Sequence, residues 1–228
     1  TGITKLSVAA DALNGKLDSE TATIEFSVEE ADKAALPEEI QQKVGNRKVY
    51  DFNAFADGRQ ISQFNGRNPV QITLDYTLEE GEDPHKIVVY YIDDLGELKA
   101  VTNTKYDAES KTVTFSTTHF SKYVLMHAEV NFSDSISFAW AKEYIEALAA
   151  REVINGLPDG SFGPDAPVTR EQFAKMLINA FDLVDDNAEC TFDDVAENTW
   201  YYRYAASAQK LGIIGGIGNN RFGVGLKI

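Results

Sequence analysis

The sequence predicts a two-part chain, an antiparallel β-sandwich-like domain followed by helix–loop–helix repeats, and three observations predict it. Up to about residue 130 of 228, apolar side chains alternate with a period of two. Beyond residue 131 the period becomes that of a helix. The second region also matches itself at one fixed offset, 60 positions. Each part is long enough to bury a core of its own.

In the first part, TATIEFSV (21 to 28), PVQITLDYTL (69 to 78), HKIVVYYID (85 to 93) and KTVTFSTTHF (111 to 120) are rich in β-branched and aromatic residues. They read as strands. Turn signals separate them at ADGRQ (56 to 60), FNGRNP (64 to 69), DDLGEL (93 to 98) and YDAESK (106 to 111). One short helix is predicted at PEEIQQKV (37 to 44). Strands at this spacing suggest a sandwich or a related antiparallel fold. Thr73, Asp75 and Thr77 take the polar outer positions that keep a sheet face wet.

In the second part, Trp140, Tyr144 and Leu148 fall at i, i+4 and i+8, with Ile145 beside them. Phe173, Met176, Leu177, Ala180 and Phe181 form a second stripe. Thr169 followed by Gln172 has capping-box spacing, so that helix is predicted to begin at Thr169. Both stripes are expected to form the core of a helix pair.

Self-comparison is the most informative observation. Phe132, Asp134, Trp140, Ile154, Gly156 and Phe162 reappear as Phe192, Asp194, Trp200, Ile214, Gly216 and Phe222, every pair 60 positions apart. Val168 then pairs with Ile228, so the second unit is expected to be cut just before its second helix. The predicted domains are 1–130, 131–184 and 185–228. A face carrying Trp200, Tyr204 and Leu211 would lack its partner helix, leaving the half repeat disordered, packed on the first repeat, or completed by another chain. Self-association through the incomplete repeat is one expectation.

Composition narrows the function. A formal charge of −15 with no concentrated basic face argues against nucleic acid, and no apolar run is long enough to span a membrane. The single cysteine, Cys190, permits no internal disulfide. The opening TGITKLSV carries neither an initiator Met nor a leader, as in a piece of a longer chain. His85, His119 and His127 lack metal-ligand spacing, and the acidic runs at 78 to 84 and 185 to 194 lack an alternating calcium pattern. No phosphate loop or serine elbow occurs. No metal, cofactor or catalysis is expected.

Residues 131–183 carry a Phe-x-Asp opening, a helix-borne Trp140, the turn Asn-Gly-x-x-Asp-Gly-x-Phe (155 to 162) and a Thr-Arg-Glu helix start. In these features the segment resembles the surface-layer homology (SLH) repeat along its whole length, and residues 191–222 resemble the first half of another. Glu152 departs from the family by standing where Gly is frequent, as Gly212 does in the second unit. Asn219-Asn220 replaces the first turn's Asp-Gly, a change Asn tolerates because it reaches left-handed conformations. The segments at 49 to 66, 87 to 101 and 117 to 123 are similar to a β-rich module that precedes SLH repeats in Gram-positive surface proteins, and more loosely to ZU5-type domains.

The resemblance implies an extracellular protein held noncovalently on peptidoglycan by binding secondary cell-wall polysaccharide, often pyruvylated. The β-domain would be a spacer. Arg170 would grip a ketal carboxylate with its guanidinium fork at a helix N-terminus, beside Thr169. Trp140, and Trp200 as its repeat, would cover a sugar ring. Asp134, its repeat Asp194, and Glu171 would accept bonds from hydroxyls and orient the arginine. Two other employments stay open: Trp140 and Trp200 as core residues, and Arg170 as half of a surface ion pair. The family folds as three repeats with grooves between neighbours, so one and a half repeats are expected to bind weakly or not at all. Two rival functions stand beside anchoring. One is a purely structural spacer. The other is self-cleavage at His119-Phe120-Ser121, with Ser121 attacking the Phe120 carbonyl after activation by His119.

Overall fold

The computed structural model describes residues 2–17, 23–65 and 69–228. The turn expected at 64 to 69 and the first two residues of the strand expected at 21 to 28 fall partly or wholly outside them. The chain divides into two compact units, Thr1–Glu129 and Val130–Ile228.

The first unit holds two antiparallel sheets. One orders β1 (Ile3–Val8), β5 (Val70–Asp75), β9 (Thr112–Thr117) and β8 (Lys105–Asp107). The other orders β2 (Ile24–Glu30), β3 (Val49–Ala56), β10 (Lys122–His127), β6 (Ile87–Ile92) and β7 (Leu98–Ala100), with β4 (Arg59–Gln60) folded back on the end of β3. Alternate residues of both sheets meet in one core. Ile72 and Leu74 of β5 and Phe115 of β9 join Phe52 of β3, Val89 of β6 and Tyr123 of β10. That is the period of two expressed as packing.

The second sheet is covered on its other face too. The helix α1 (Glu38–Val44) lays Ile40 and Val44 against Val49, Ile92 and Val124. Coverage on both sides explains why IVVYYI reads as an apolar run instead of an alternation. The strands β1 and β3 lie outside the expected segments. In β3 the inward positions include Ala54 and Ala56, which are too small to mark a strand by pattern.

The second unit holds α2 (Lys142–Ala150), α3 (Arg170–Ala180) and α4 (Tyr202–Lys210). The helices α2 and α4 begin and end 60 positions apart, as the repeat requires. Their packing corrects the expected helix pair. The helix α3, the second of its repeat, packs on α4, the first of the next, around Ala174, Val195, Ala205 and Phe222.

The buried positions of α3 are Glu171, Ala174 and Ile178, while Phe173 and Phe181 are exposed and Met176 and Leu177 half-buried. On α2 the buried positions are Glu146 and Ala150, and Tyr144 and Leu148 face outward; Trp140, expected on the helix, lies exposed in the turn just before it. The stripes marked real helix faces but not the packed ones, because Ala at the contact lets two helices approach closely. Residues 202–210 thus pack on α3, the second of the three outcomes weighed for this segment.

Candidate functional site

The repeated residues first build a turn. Asp134 accepts the Phe162 and Gly163 N–H groups on its two carboxylate oxygens at 2.8 and 2.9 Å. Asp194 accepts those of Phe222, Gly223 and Val224 at 2.7, 2.9 and 3.2 Å. The bond from Phe162 chiefly holds Asp134 below the ordinary carboxylate range. At Asp194 burial pushes upward, but the three N–H groups outweigh it and the net shift is down. Phe162 is half-buried against Phe132 and Phe138, with ring centroids 5.4 and 5.5 Å away, whereas its repeat Phe222 is fully buried. The left-handed positions fall as the repeat predicts: Glu152 at φ 57° matches Gly212 at 66°, and Asn220 at 53° matches Gly160 at 82°.

The predicted ligand residues Thr169, Arg170 and Glu171 do come together, at the start of α3, and there they hold the chain's last turn. Residues 168–170 pair with 226–228 through Arg170 N–H to Leu226 O at 2.9 Å and Ile228 N–H to Val168 O at 3.0 Å. The Arg170 guanidinium donates from Nε to Phe222 O and from Nη2 to Gly215 O, both at 2.8 Å, and lies over the Phe222 ring at 5.3 Å. The edge of the fork expected to meet a carboxylate is therefore spent on backbone carbonyls. Glu171, 8% exposed, accepts the Gly225 N–H at 2.9 Å instead of orienting the arginine. The predicted capping box is in place at the start of α3, with Thr169 N–H donating to Gln172 Oε1 at 2.9 Å.

Two grooves flank α3. One, of about 480 Å³, is lined by Arg170, Phe173, Ile213, Gly215, Gly216 and Ile228. The other, of about 340 Å³, includes Asn155, Leu157, Gln172, Lys175, Met176 and Trp200 in its lining. Their turn walls are repeats of each other: 153–156 in the second corresponds to 213–216 in the first. Both tryptophans are exposed, Trp140 at 86% and Trp200 at 55%, so neither is a core residue. Trp200 lies in a groove, edge-on to Tyr201 with centroids 5.3 Å apart.

Lys175 was missed by sequence reasoning. Burial holds its ammonium below the ordinary lysine range, and the nearby Glu152 charge opposes that shift. The available signal was a cation interrupting the apolar run Phe173-Ala174-Lys175-Met176-Leu177.

In the first unit, Ser121 Oγ donates to Ile92 O at 2.9 Å. Phe120 is buried against Phe64 and Phe52, with centroids 4.8 and 5.7 Å away. The His119 ring meets Tyr91 edge-on at 4.7 Å. The hydroxyl that self-cleavage would use is thus committed to a strand carbonyl.

With this geometry in view, comparison with known proteins is decisive for the second unit: residues 131–174 and 191–228 match the S-layer homology domain. Two segments of the second unit are thus similar to that domain. An amylopullulanase of Thermoanaerobacterium thermosulfurigenes is 36% identical over 152 residues, 67% of this chain and 8% of that protein. An S-layer protein of Bacillus licheniformis is 34% identical over 93 residues, 40% of this chain and 10% of that protein. A cell surface protein of Thermoanaerobacter kivui is 32% identical over 114 residues, 48% of this chain and 15% of that protein.

The chain therefore spans about a tenth of the length of the curated relatives it matches. The matches indicate a cell-wall or surface-layer location and anchoring at the cell surface through the S-layer homology segments. Among the described residues no helix is long and apolar enough to cross a membrane.

Proposed function

We propose that the S-layer homology unit binds secondary cell-wall polysaccharide noncovalently, with a pyruvylated amino sugar as its preferred unit, and that the β-unit is a sandwich-like, ZU5-like spacer that performs no catalysis. The observation that carries this reading is the exposed Trp200 in a groove beside Asn155 and Gln172. An indole face covers the apolar face of a sugar ring, and side-chain amides pair with its hydroxyls. Such a surface binds a neutral ring by contact and leaves a ketal carboxylate to a nearby cation.

Sedimentation with purified cell walls tests the proposal. The chain is expected to pellet with walls that keep their secondary polysaccharide and to stay in solution with walls stripped of it. Trp200→Ala should weaken retention about tenfold, a loss of about 1.4 kcal/mol. Equal pelleting on stripped walls would overturn the reading.

A further inference from the structure

We infer that Asn14 is a site of spontaneous covalent modification, where the Asn14-Gly15 peptide closes to a succinimide and opens to aspartate or isoaspartate, while packing keeps the same dipeptide at 155 to 156 intact. The inference concerns the first unit and is independent of the wall-binding reading.

An asparagine followed by glycine carries both an electrophile and a nucleophile. The glycine N–H loses its proton, its nitrogen attacks the side-chain carbonyl carbon, and ammonia leaves as the ring closes. Water then adds to one of the two ring carbonyls. Opening at the former side-chain carbonyl gives aspartate; opening at the main-chain carbonyl gives isoaspartate, in which the backbone runs through the side chain. In both cases asparagine and water become an acid and ammonia. The reaction needs an amide nitrogen that donates to no acceptor and a backbone free to bring it against the carbonyl carbon. Glycine serves because no Cβ blocks the approach.

The chain holds this dipeptide at 14–15, 65–66 and 155–156, and the fold separates them. Asn14 and Gly15 are exposed in the loop after β1. Among the described residues, neither the Gly15 N–H nor the Asn14 side chain has a hydrogen-bond partner. Gly15 sits at φ 70° with no atom within 4 Å of where a Cβ would stand, so its peptide turns without striking a neighbour. The restraint on it is an exposed one, the Asn65 side-chain amide donating to Asn14 O. Gly156 is enclosed instead: a Cβ there would lie 2.6 Å from the Phe132 ring and 2.8 Å from Ser161 O, and that carbonyl is itself held by the Leu157 N–H at 2.7 Å. Asn65 has its N–H bonded to Ala12 O at 2.8 Å and its amide engaged, and Gly66 lies outside the described residues.

The product alters the loop. A carboxylate at position 14 arises two residues from Lys16, whose carbonyl accepts from Arg59 Nη2 at 3.1 Å, and Lys16 and Arg59 line one small cavity of about 380 Å³. The isoaspartate form also lengthens the backbone between the buried Ala12 and Lys16, which should loosen the Arg59 contact.

The whole chain, folded and in urea, is incubated at mildly alkaline pH in water enriched in heavy oxygen, and its proteolytic peptides are weighed and fragmented. In the folded chain Asn14 should take up one labelled oxygen at least about tenfold faster than Asn155, a barrier difference of about 1.4 kcal/mol. Both aspartate and isoaspartate should appear at position 14, and in urea the two rates should converge. Asn14→Gln, whose longer side chain closes the ring poorly, should remove the label from that position, with a thermal melt verifying that the variant is folded. Equal rates at Asn14 and Asn155 in the folded chain would overturn the inference. So would aspartate without isoaspartate, or a folded chain that leaves Asn14 unlabelled while the chain in urea takes up label there.

Discussion

Gly156 and Gly216 are glycines for want of room. A Cβ on Gly156 would lie 2.6 Å from Cε1 of Phe132 and 2.8 Å from the Ser161 carbonyl oxygen; on Gly216 the distances are 2.8 Å to Phe192 and 2.9 Å to Arg221 O. Neither a packed ring nor a bonded carbonyl moves freely, so overpacking is unavoidable. Gly215, one position away, has nothing within 4 Å of the same atom. Gly156→Ala is therefore expected to destabilise the second unit by about 1–3 kcal/mol, and Gly215→Ala by less than about 0.5 kcal/mol. Urea unfolding of the two variants checks the contrast, and equal losses would refute it. The aspartates teach a related lesson. The 60-residue spacing singled out Asp134 and Asp194, and their carboxylates accept turn N–H groups, the nearest claimants for an acidic side chain in a turn.

Between elements, what matters is which helix pairs with which. Periodicity predicted the helices at nearly the right places, because each has an apolar stripe and α3 has a capping sequence. It could not report that α3 leaves its own repeat to pack on α4, since that contact is made through Ala174 and Ala205, residues too small to carry a pattern. The same limit hid β3, whose inward alanines are silent, and exaggerated the Phe173 stripe, whose bulk faces solvent. The exchange has a measurable consequence. Ala174→Leu inserts three carbons into the α3–α4 contact, where Ala174 and Ala205 are both fully buried. Overpacking of about 1–3 kcal/mol there should raise amide exchange in 202–210 by roughly tenfold or more. Exchange in α2 should change less than about threefold, because sites without shared partners respond nearly independently. Equal deprotection of α2 and α4 would restore the self-contained helix pair.

For the whole molecule the governing quantity is charge. Residues 130–228 carry 8 Lys and Arg against 14 Asp and Glu, a net −6, and residues 1–129 carry 13 against 22, a net −9. Both units therefore repel a polyanionic wall polymer at long range, while the proposed attraction acts only within contact distance of the Trp200 groove. The two ranges respond oppositely to salt. At 0.01 M ionic strength the Debye length is about 30 Å, so the net charge is felt well before contact; at 0.15 M it is about 8 Å and the approach is largely screened. Association with immobilised pyruvylated polysaccharide should therefore speed up as salt rises over that interval, by about threefold or more, since repulsive fields slow encounter as attractive fields hasten it. Dissociation should change only modestly, because contacts made inside a groove are poorly reached by mobile ions. Surface-binding kinetics at two salt concentrations separate the rates. An association rate that falls with salt would mean that a basic patch steers the encounter and that recognition is not confined to the groove.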